Sequence, residues 1–259
     1  MTVVPHADVL AFVERSPEAV ARHDKQAWLA LFARRHIVED PVGGEPVVGG
    51  IYDARSGGRG TGALARFWET FIATRTIRFR FDGPDIVRGL DVVRNVTIEI
   101  RDDEGVELHT PAYLLYQLTV EGDELKIARL AAHWEVGPVL GQSLGVDRAR
   151  LRSMAQTSRR LLAQQHLGGA VAFGGAIRSV GDAGKAAVAE LVSAAEAGDG
   201  RALTLLGGVS VTGLEKVIAA GDVVCASCTA AGEPAVLMCY FDRKRMTVVD
   251  VDVYRPVRG

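Results

Sequence analysis

The sequence has little net charge, no long apolar run and few cysteines, and each of these absences excludes a class of protein. Its 30 basic and 32 acidic residues leave a formal charge of −2, so no strong field attracts nucleic acid or an anionic membrane. No apolar stretch approaches the about 20 residues that span a bilayer. The start, residues 1–6, lacks the basic and apolar segments of a signal peptide. We therefore expect a cytoplasmic protein with neither nucleic-acid nor membrane partners.

The cysteines and glycines also lack the patterns of cofactor sites. Three cysteines, an odd number, argue against a disulfide framework. Cys225 and Cys228 lie in a predicted strand, where residues three apart point to opposite faces. The Gly- and Arg-rich segment 43–62 lacks the spacing of a phosphate cradle. We expect buried, inert thiols and neither metal nor cofactor.

The first 136 residues predict helices, a loop, a further helix and then an antiparallel meander. Ser16 followed by Pro17 predicts a helix start, and Asp24 is a candidate N-cap for the next helix. A heavily aromatic face, with apolar residues at helical spacing from Leu64 to Phe71, predicts an amphipathic helix over 63–73. From Thr76 onward the pattern alternates as in strands. The fold class is therefore α+β.

The predicted sheet is apolar on both faces, most clearly in the long strand 108–120. Such a sheet needs a cover on both sides. We expect its own helices on one face and another sheet or subunit on the other.

The second half repeats part of this pattern in shortened form. Asp24 corresponds to Asp199, and Asp91 to Asp222, so the second copy is shorter by 44 residues. We expect a domain over 1–145 that carries a pocket, a helical linker over 146–180, and a degenerate second copy over 181–259. The two copies would form an intramolecular pseudo-dimer, with a homodimer of the whole chain also open.

The segment Val38-Glu39-Asp40-Pro41 places an acidic pair among residues that favour burial. Asp40 before a proline is typical of a turn in which the carboxylate accepts backbone N–H groups. Alternatively, Asp40 is a carboxylate in an apolar pocket, where desolvation makes it a useful general base.

Residues 17–136 resemble the ketosteroid isomerase and nuclear-transport-factor-2-like superfamily. The resemblance rests on element order, on Asp24 between two helices, on the Val38–Pro41 segment, on Phe67-Trp68 and on Trp134. It implies a curved antiparallel sheet wrapped by helices as a cone-like barrel. It also implies that Asp40 is the base that moves a proton between C4 and C6 of a 3-oxo steroid.

The resemblance fails at the groups that stabilise the oxyanion, which in the isomerase are a tyrosine and a protonated aspartate. In this sequence the position of the tyrosine corresponds to Ser16, and that of the aspartate lies near Leu114. The alternative donors are Tyr116 and Ser16 itself. The residues that the resemblance and the strand pattern place around the ligand are Phe32, Val38, Phe67, Trp68, Leu114 and Trp134. His133 should face away from this pocket, because Trp134 faces into it.

Three functions remain open at this point. The first is a steroid Δ-isomerase-like enzyme, or a related lyase, that uses Asp40 as general base on a hydrophobic steroid- or polyketide-like carbonyl compound. A dehydratase or cyclase of the same superfamily is a variant of it. The second is a non-catalytic protein that binds a hydrophobic small molecule, and the third is a scaffold whose pocket is filled.

Overall fold

The first half of the chain forms helices followed by a meander of strands in the computed structural model, which describes residues 4–49, 62–102, 105, 107–143 and 178–256. Its helical segments are α1 (His6–Ala21), α2 (Lys25–Ala30), α3 (Gly62–Phe67), a π-helical turn (Trp68–Ile72) and α4 (Val136–Ser143). Its strands are β1 (Phe32–Glu39), β2 (Val47–Val48), β3 (Arg75–Phe81), β4 (Ile86–Arg88), β5 (Asp91–Asp102), β6 (Glu107–Glu121) and β7 (Glu124–His133). No helix in these ranges is long and apolar enough to cross a membrane.

The strands of the first half form one sheet in the order β2-β1-β7-β6-β5-β3, and β4 pairs with β5. Most pairs are antiparallel, but β1 runs parallel to β7, with Val38 opposite Leu130 and Glu39 opposite Ala131. The Val42 amide continues this pairing by donating to the Ala132 carbonyl over 2.9 Å. The segment that carries Asp40 is thus held alongside the end of β7.

Helix α1 differs from the sequence prediction at Ser16 and Pro17. The helix runs without interruption from His6 to Ala21 with Pro17 inside it, so Ser16 is not an N-cap. A proline inside a helix removes one backbone N–H and destabilises it, and here the loss is offset by burial of Val13, Ala19 and other residues along the same helix. Asp24 caps α2 as expected, because its Oδ1 accepts the Ala27 amide over 2.9 Å.

The second half contains two helices and a separate four-stranded sheet. The helices are α5 (Gly181–Glu196) and α6 (Gly200–Leu205), and Asp199 caps α6 by accepting the Ala202 amide over 2.8 Å. The strands are β8 (Val211–Ala220), β9 (Val223–Ala230), β10 (Glu233–Asp242) and β11 (Thr247–Tyr254). They form an antiparallel sheet in the order β11-β10-β9-β8.

The two sheets pack face to face between two layers of helices. One apolar cluster joins α1, α2 and α3 to the concave face of the first sheet. A second lies between the sheets and includes Tyr113, Leu115, Cys225 and Met238. A third joins the second sheet to α5 and α6 and contains Cys228. Cys225 and Cys228 therefore lie on opposite faces of β9, as alternation predicts, and all three cysteines are buried and free.

The mixed α+β class with a curved sheet and helices is confirmed, but the cone-like barrel is not closed in the described part of the chain. The outer strands β2 and β3 lie at opposite ends of the first sheet and pair with no further strand there. The helices α1, α2 and α3 pack against the concave face between these edges through one apolar cluster. Most of the predicted linker over 146–180 lies outside the described residues.

The two halves meet through a backbone contact and a buried polar network. Gly43 and Gly221 both have positive φ, at 92° and 56°, and a Cβ on Gly43 would lie 2.5 Å from the Gly221 Cα. Glycine is therefore required on both sides of this contact. At a β-bulge in β8, Lys216 turns into the first half. Its Nζ lies 2.5 Å from Asn95 Oδ1, 2.6 Å from the Val96 carbonyl and 2.9 Å from Asp82 Oδ2.

Replacement of Lys216 by methionine should weaken this contact between the sheets. Hydrogen bonds to charged groups contribute about 1.5–3 kcal/mol each, and loss of the ammonium leaves several acceptors without their donor. We expect Lys216→Met to lower the free energy of unfolding in urea by about 2–3 kcal/mol, whereas exposed Lys244→Met should leave it unchanged. Equal stability of the two variants would contradict this role.

Candidate functional site

Strand β1 places Val38 and Asp40 on the concave face of the first sheet. Side chains two residues apart on a strand share a face. Val38 is buried in the cluster beneath α1, α2 and α3, and Asp40 follows it by two residues. Glu39 points to the other side, where Arg129 Nε donates to its Oε2 over 2.6 Å. The two acids of the pair therefore occupy different surroundings.

Asp40 is hydrogen-bonded to the indole of Trp134, which follows β7. Trp134 Nε1 donates to Asp40 Oδ1 over 2.6 Å. Asp40 is exposed as a residue, but burial of its carboxyl group raises the pKa to about 6, and the Trp134 hydrogen bond acts in the opposite direction. The pKa lies close to neutral pH, which suits a general base.

Tyr116, Ser16 and Trp28 form a hydrogen-bonded chain on the same face. Trp28 Nε1 donates to Ser16 Oγ over 3.2 Å. The Ser16 hydroxyl is in turn hydrogen-bonded to the Tyr116 phenol, whose pKa is raised by burial. Since an indole N–H only donates, Ser16 accepts from Trp28 and keeps its own hydrogen for Tyr116. This orientation leaves the Tyr116 hydrogen free to be donated elsewhere.

The register of the strands fixes how Asp40 and Tyr116 are placed relative to each other. Val38 and Tyr116 are both opposite Leu130, so β1 and β6 flank β7 at this level. Leu114 is opposite Ala132, the residue beside Asp40. With strands about 4.8 Å apart, the backbones that carry Asp40 and Tyr116 are separated by about 10 Å across the sheet. Side chains from both strands project from the same face of the sheet.

Aromatic side chains pack together on this face of the sheet. The Trp28 ring lies 4.7 Å from the Phe32 ring and 5.5 Å from the Trp68 ring, centroid to centroid. Phe67 stacks on Trp28 at 6.1 Å. Phe32, Val38, Phe67, Trp68, Leu114 and Tyr116 are all buried in one cluster, and Trp134 packs against it. The structure thus brings together all the residues that sequence analysis placed around the ligand; their roles stay predictions.

His133 and Tyr113 lie on the opposite face of the sheet, next to the second half. His133 is buried with Nδ1 3.2 Å from the Tyr113 carbonyl, and burial lowers its pKa to about 4. The Tyr113 hydroxyl lies 2.6 Å from Ser227 Oγ. Neither residue shares a face with Asp40, so an Asp–His pair built on His133 is not present.

Sequence analysis missed two polar residues of the concave side, Arg94 and His36. Arg94 is level with Leu114 in the β5–β6 pairing and is bound to Asp85 and Glu14 over 2.8 and 2.5 Å. His36 is buried two residues before Val38. Arg94 is opposite Leu114 in the sheet, so its side chain can be assigned to the concave face only after Leu114 is known to point to that face. Among the described residues, no group of three His, Cys, Asp or Glu side chains could hold a metal ion.

Comparison with known proteins finds similarity in structure alone. No family model and no curated protein sequence matches the chain. A Δ5-3-ketosteroid isomerase from Mycobacterium sp. is 23% identical, with a TM-score of 0.41, over 50% of this chain and 94% of that one. A putative polyketide cyclase from Pseudomonas putida is 20% identical, with a TM-score of 0.41, over 52% and 96%.

A third solved structure, Rv0760c from Mycobacterium tuberculosis in complex with estradiol-17beta-hemisuccinate, is 19% identical with a TM-score of 0.40, over 50% and 95%. Each of these matches covers about half of this chain. At these identities and TM-scores, neither a family nor an activity of this chain follows from the likeness.

Replacement of Trp134 by phenylalanine tests the environment of Asp40. The variant loses the N–H that stabilises the ionised carboxylate, so we expect the pKa of Asp40 to rise above about 6. Carboxyl carbon chemical shifts followed by NMR as a function of pH measure this directly. Trp28→Phe, which removes the indole donor to Ser16 instead, should leave that pKa in place. An unchanged titration of Asp40 in Trp134→Phe would contradict the assignment.

Proposed function

We propose that this chain is a steroid Δ-isomerase-like protein that transfers a proton by general-base catalysis on a hydrophobic carbonyl compound, steroid- or polyketide-like in shape. The observation that carries the proposal is Asp40 itself, which accepts a hydrogen bond from Trp134 beside the aromatic cluster and whose pKa burial raises to about 6. Buried carboxylates elsewhere in proteins serve as bases when their pKa approaches the working pH.

The reaction would proceed in two proton transfers without net oxidation. Asp40 takes a proton from the carbon beside the carbonyl group, and the electron pair of that C–H bond moves towards the carbonyl oxygen to give a dienolate. The protonated Asp40 then returns the proton to the γ-carbon, and the double bond shifts into conjugation. Trp134 supports this cycle because its hydrogen bond keeps the resting carboxylate ionised.

Tyr116 is the proposed donor to the oxyanion, with Ser16 as its positioning residue. The chain from Trp28 through Ser16 orients the Tyr116 hydroxyl so that its hydrogen is available. Phe32, Phe67 and Trp68 supply the apolar surface for the ligand, and Val38, Leu114 and Trp134 lie closest to the base in the strand register. Leu114 supplies no second donor, so a slower enzyme is expected than one with two donors.

A non-catalytic ligand binder is the second candidate, and Leu114 favours it. Leu114 is buried in apolar surroundings at the level of Asp40, so the oxyanion would depend on Tyr116 alone. Binding of steroids without any turnover by the native chain would support this candidate. A dehydratase or cyclase based on an Asp–His pair receives no support, because His133 lies on the other face of the sheet.

The second half is proposed to be a shortened copy of the first, so that the chain is a pseudo-dimer. Helices α1 and α5 both have 16 residues, α2 and α6 both have six, and each short helix is capped by an aspartate. The order β8-β9-β10-β11 matches β3-β5-β6-β7. The copy lacks the counterparts of β1, Asp40 and the aromatic helix, so it covers the first sheet and carries no pocket of its own.

Replacement of Asp40 by asparagine should abolish turnover while leaving binding intact. The test is conversion of androst-5-ene-3,17-dione to its conjugated isomer, followed by ultraviolet absorbance, with binding of the product measured in parallel. We expect a loss of about 10²–10⁴-fold in rate and an unchanged dissociation constant. Glu39→Gln, which alters the neighbouring carboxylate paired with Arg129, is the matched control. Full activity of Asp40→Asn would refute the proposal.

The rate should also depend on pH with a midpoint near the pKa of Asp40, about 6. The base works only when ionised, so the rate falls as the pH drops through about 6 and is constant above it. Tyr116→Phe should lower the rate by about 10²–10³-fold without moving this midpoint. A midpoint that shifts with Tyr116 and not with Trp134→Phe would assign the titration to another group.

A further inference from the structure

His36 carries a buried ring nitrogen without a partner on the face that bears Asp40. The ring is 2% exposed, and Nε2 has no hydrogen-bond partner. His36, Val38 and Asp40 alternate along β1, with Ile37 exposed and Glu39 turned to the other side. The same face of one strand therefore presents a carboxylate at one end and an unpaired imidazole at the other.

The hydrogen bonds of His36 define which chemistry its free nitrogen offers. Nδ1 lies 2.7 Å from the Ala33 carbonyl oxygen. A carbonyl only accepts, so Nδ1 carries the hydrogen, and in the neutral ring Nε2 presents a lone pair. Nε2 is thus a hydrogen-bond acceptor, which pairs with a hydroxyl or N–H group and not with a ketone.

No group near the ring in the described part of the chain donates a hydrogen bond to this lone pair. The Phe32 ring lies 5.5 Å away in an edge-on arrangement. On another side is Gly49, where a Cβ would lie 2.1 Å from Cε1 and 2.3 Å from Nε2 of the imidazole. A buried acceptor left unpaired costs about 1–3 kcal/mol, and such groups in native proteins call for an explanation.

We propose that His36 Nε2 accepts a hydrogen bond from a hydroxyl group at the end of the ligand remote from the reacting carbonyl. The inference rests on the proposed function, which places the carbonyl end at Asp40. His36 lies in β1 and Asp40 directly follows its last residue, so the two are about 13 Å apart at the spacing of an extended chain, a distance suited to a rigid polycyclic compound with a polar group at each end. His36 would then select hydroxylated ligands over their ketone analogues, and would be a specificity residue outside the chemistry itself.

The test compares two steroids that differ at one position. Testosterone and androst-4-ene-3,17-dione share the same ring system and 3-ketone, but only testosterone has a hydroxyl hydrogen to donate. We expect the native chain to bind testosterone about tenfold more tightly, as measured by titration calorimetry. His36→Leu should reduce the ratio to about one by weakening testosterone alone, and His36→Gln, which keeps an acceptor, should restore part of it.

The outcomes separate this inference from the proposed function. Equal affinities in the native chain, or a tenfold ratio that survives His36→Leu, would overturn the role of His36 while Asp40-dependent turnover stood. Turnover that survives Asp40→Asn, with the ratio still dependent on His36, would overturn the base and leave the hydroxyl contact. If neither steroid binds, the role of His36 and the proposed function are both overturned. A cooperative unfolding transition of His36→Leu verifies that the variant is folded.

Discussion

The first sheet is apolar on both faces, and the rest of the structure follows from this constraint. Its strands carry Leu114 and Tyr116 towards the helices and Tyr113 and Leu115 towards the second sheet. Each face must be covered to remove apolar surface from water. The helices cover one side and contribute aromatic residues to it, and the second sheet covers the other.

The position of Asp40 depends on both covers. Parallel pairing of β1 with β7 brings the carboxylate to Trp134, and the turn after it is held by the contact between Gly43 and Gly221. The second half thus supports the backbone on which the proposed base is placed, although its own residues lie on the other side of the sheet. Through this contact, the second half of the chain influences the position of Asp40, the proposed base.

The fold was predictable where the sequence pattern is periodic. It was less predictable where a single contact between distant residues determines the local structure. Alternation placed Trp134 with Asp40, and Tyr113 and His133 away from them, because side chains on a strand change face at every residue. The prediction that Ser16 is an N-cap was wrong. Burial of α1 as one continuous helix stabilises the fold by more than Pro17 destabilises the helix, and that burial depends on residues distant in sequence. The insertion of Lys216 and the unpaired nitrogen of His36 have no signature in sequence, because both depend on a bulge or a close approach between remote segments.

The central claim is that Asp40 removes a proton from carbon beside a carbonyl group, and isotope exchange measures that step without requiring complete turnover. Androst-4-ene-3,17-dione incubated with the protein in D₂O should gain deuterium at C4 and C6, as followed by proton NMR, at a rate that increases as Asp40 ionises. Absence of protein-dependent exchange at saturating steroid, with binding demonstrated in the same sample, would contradict the account and leave a ligand-binding protein.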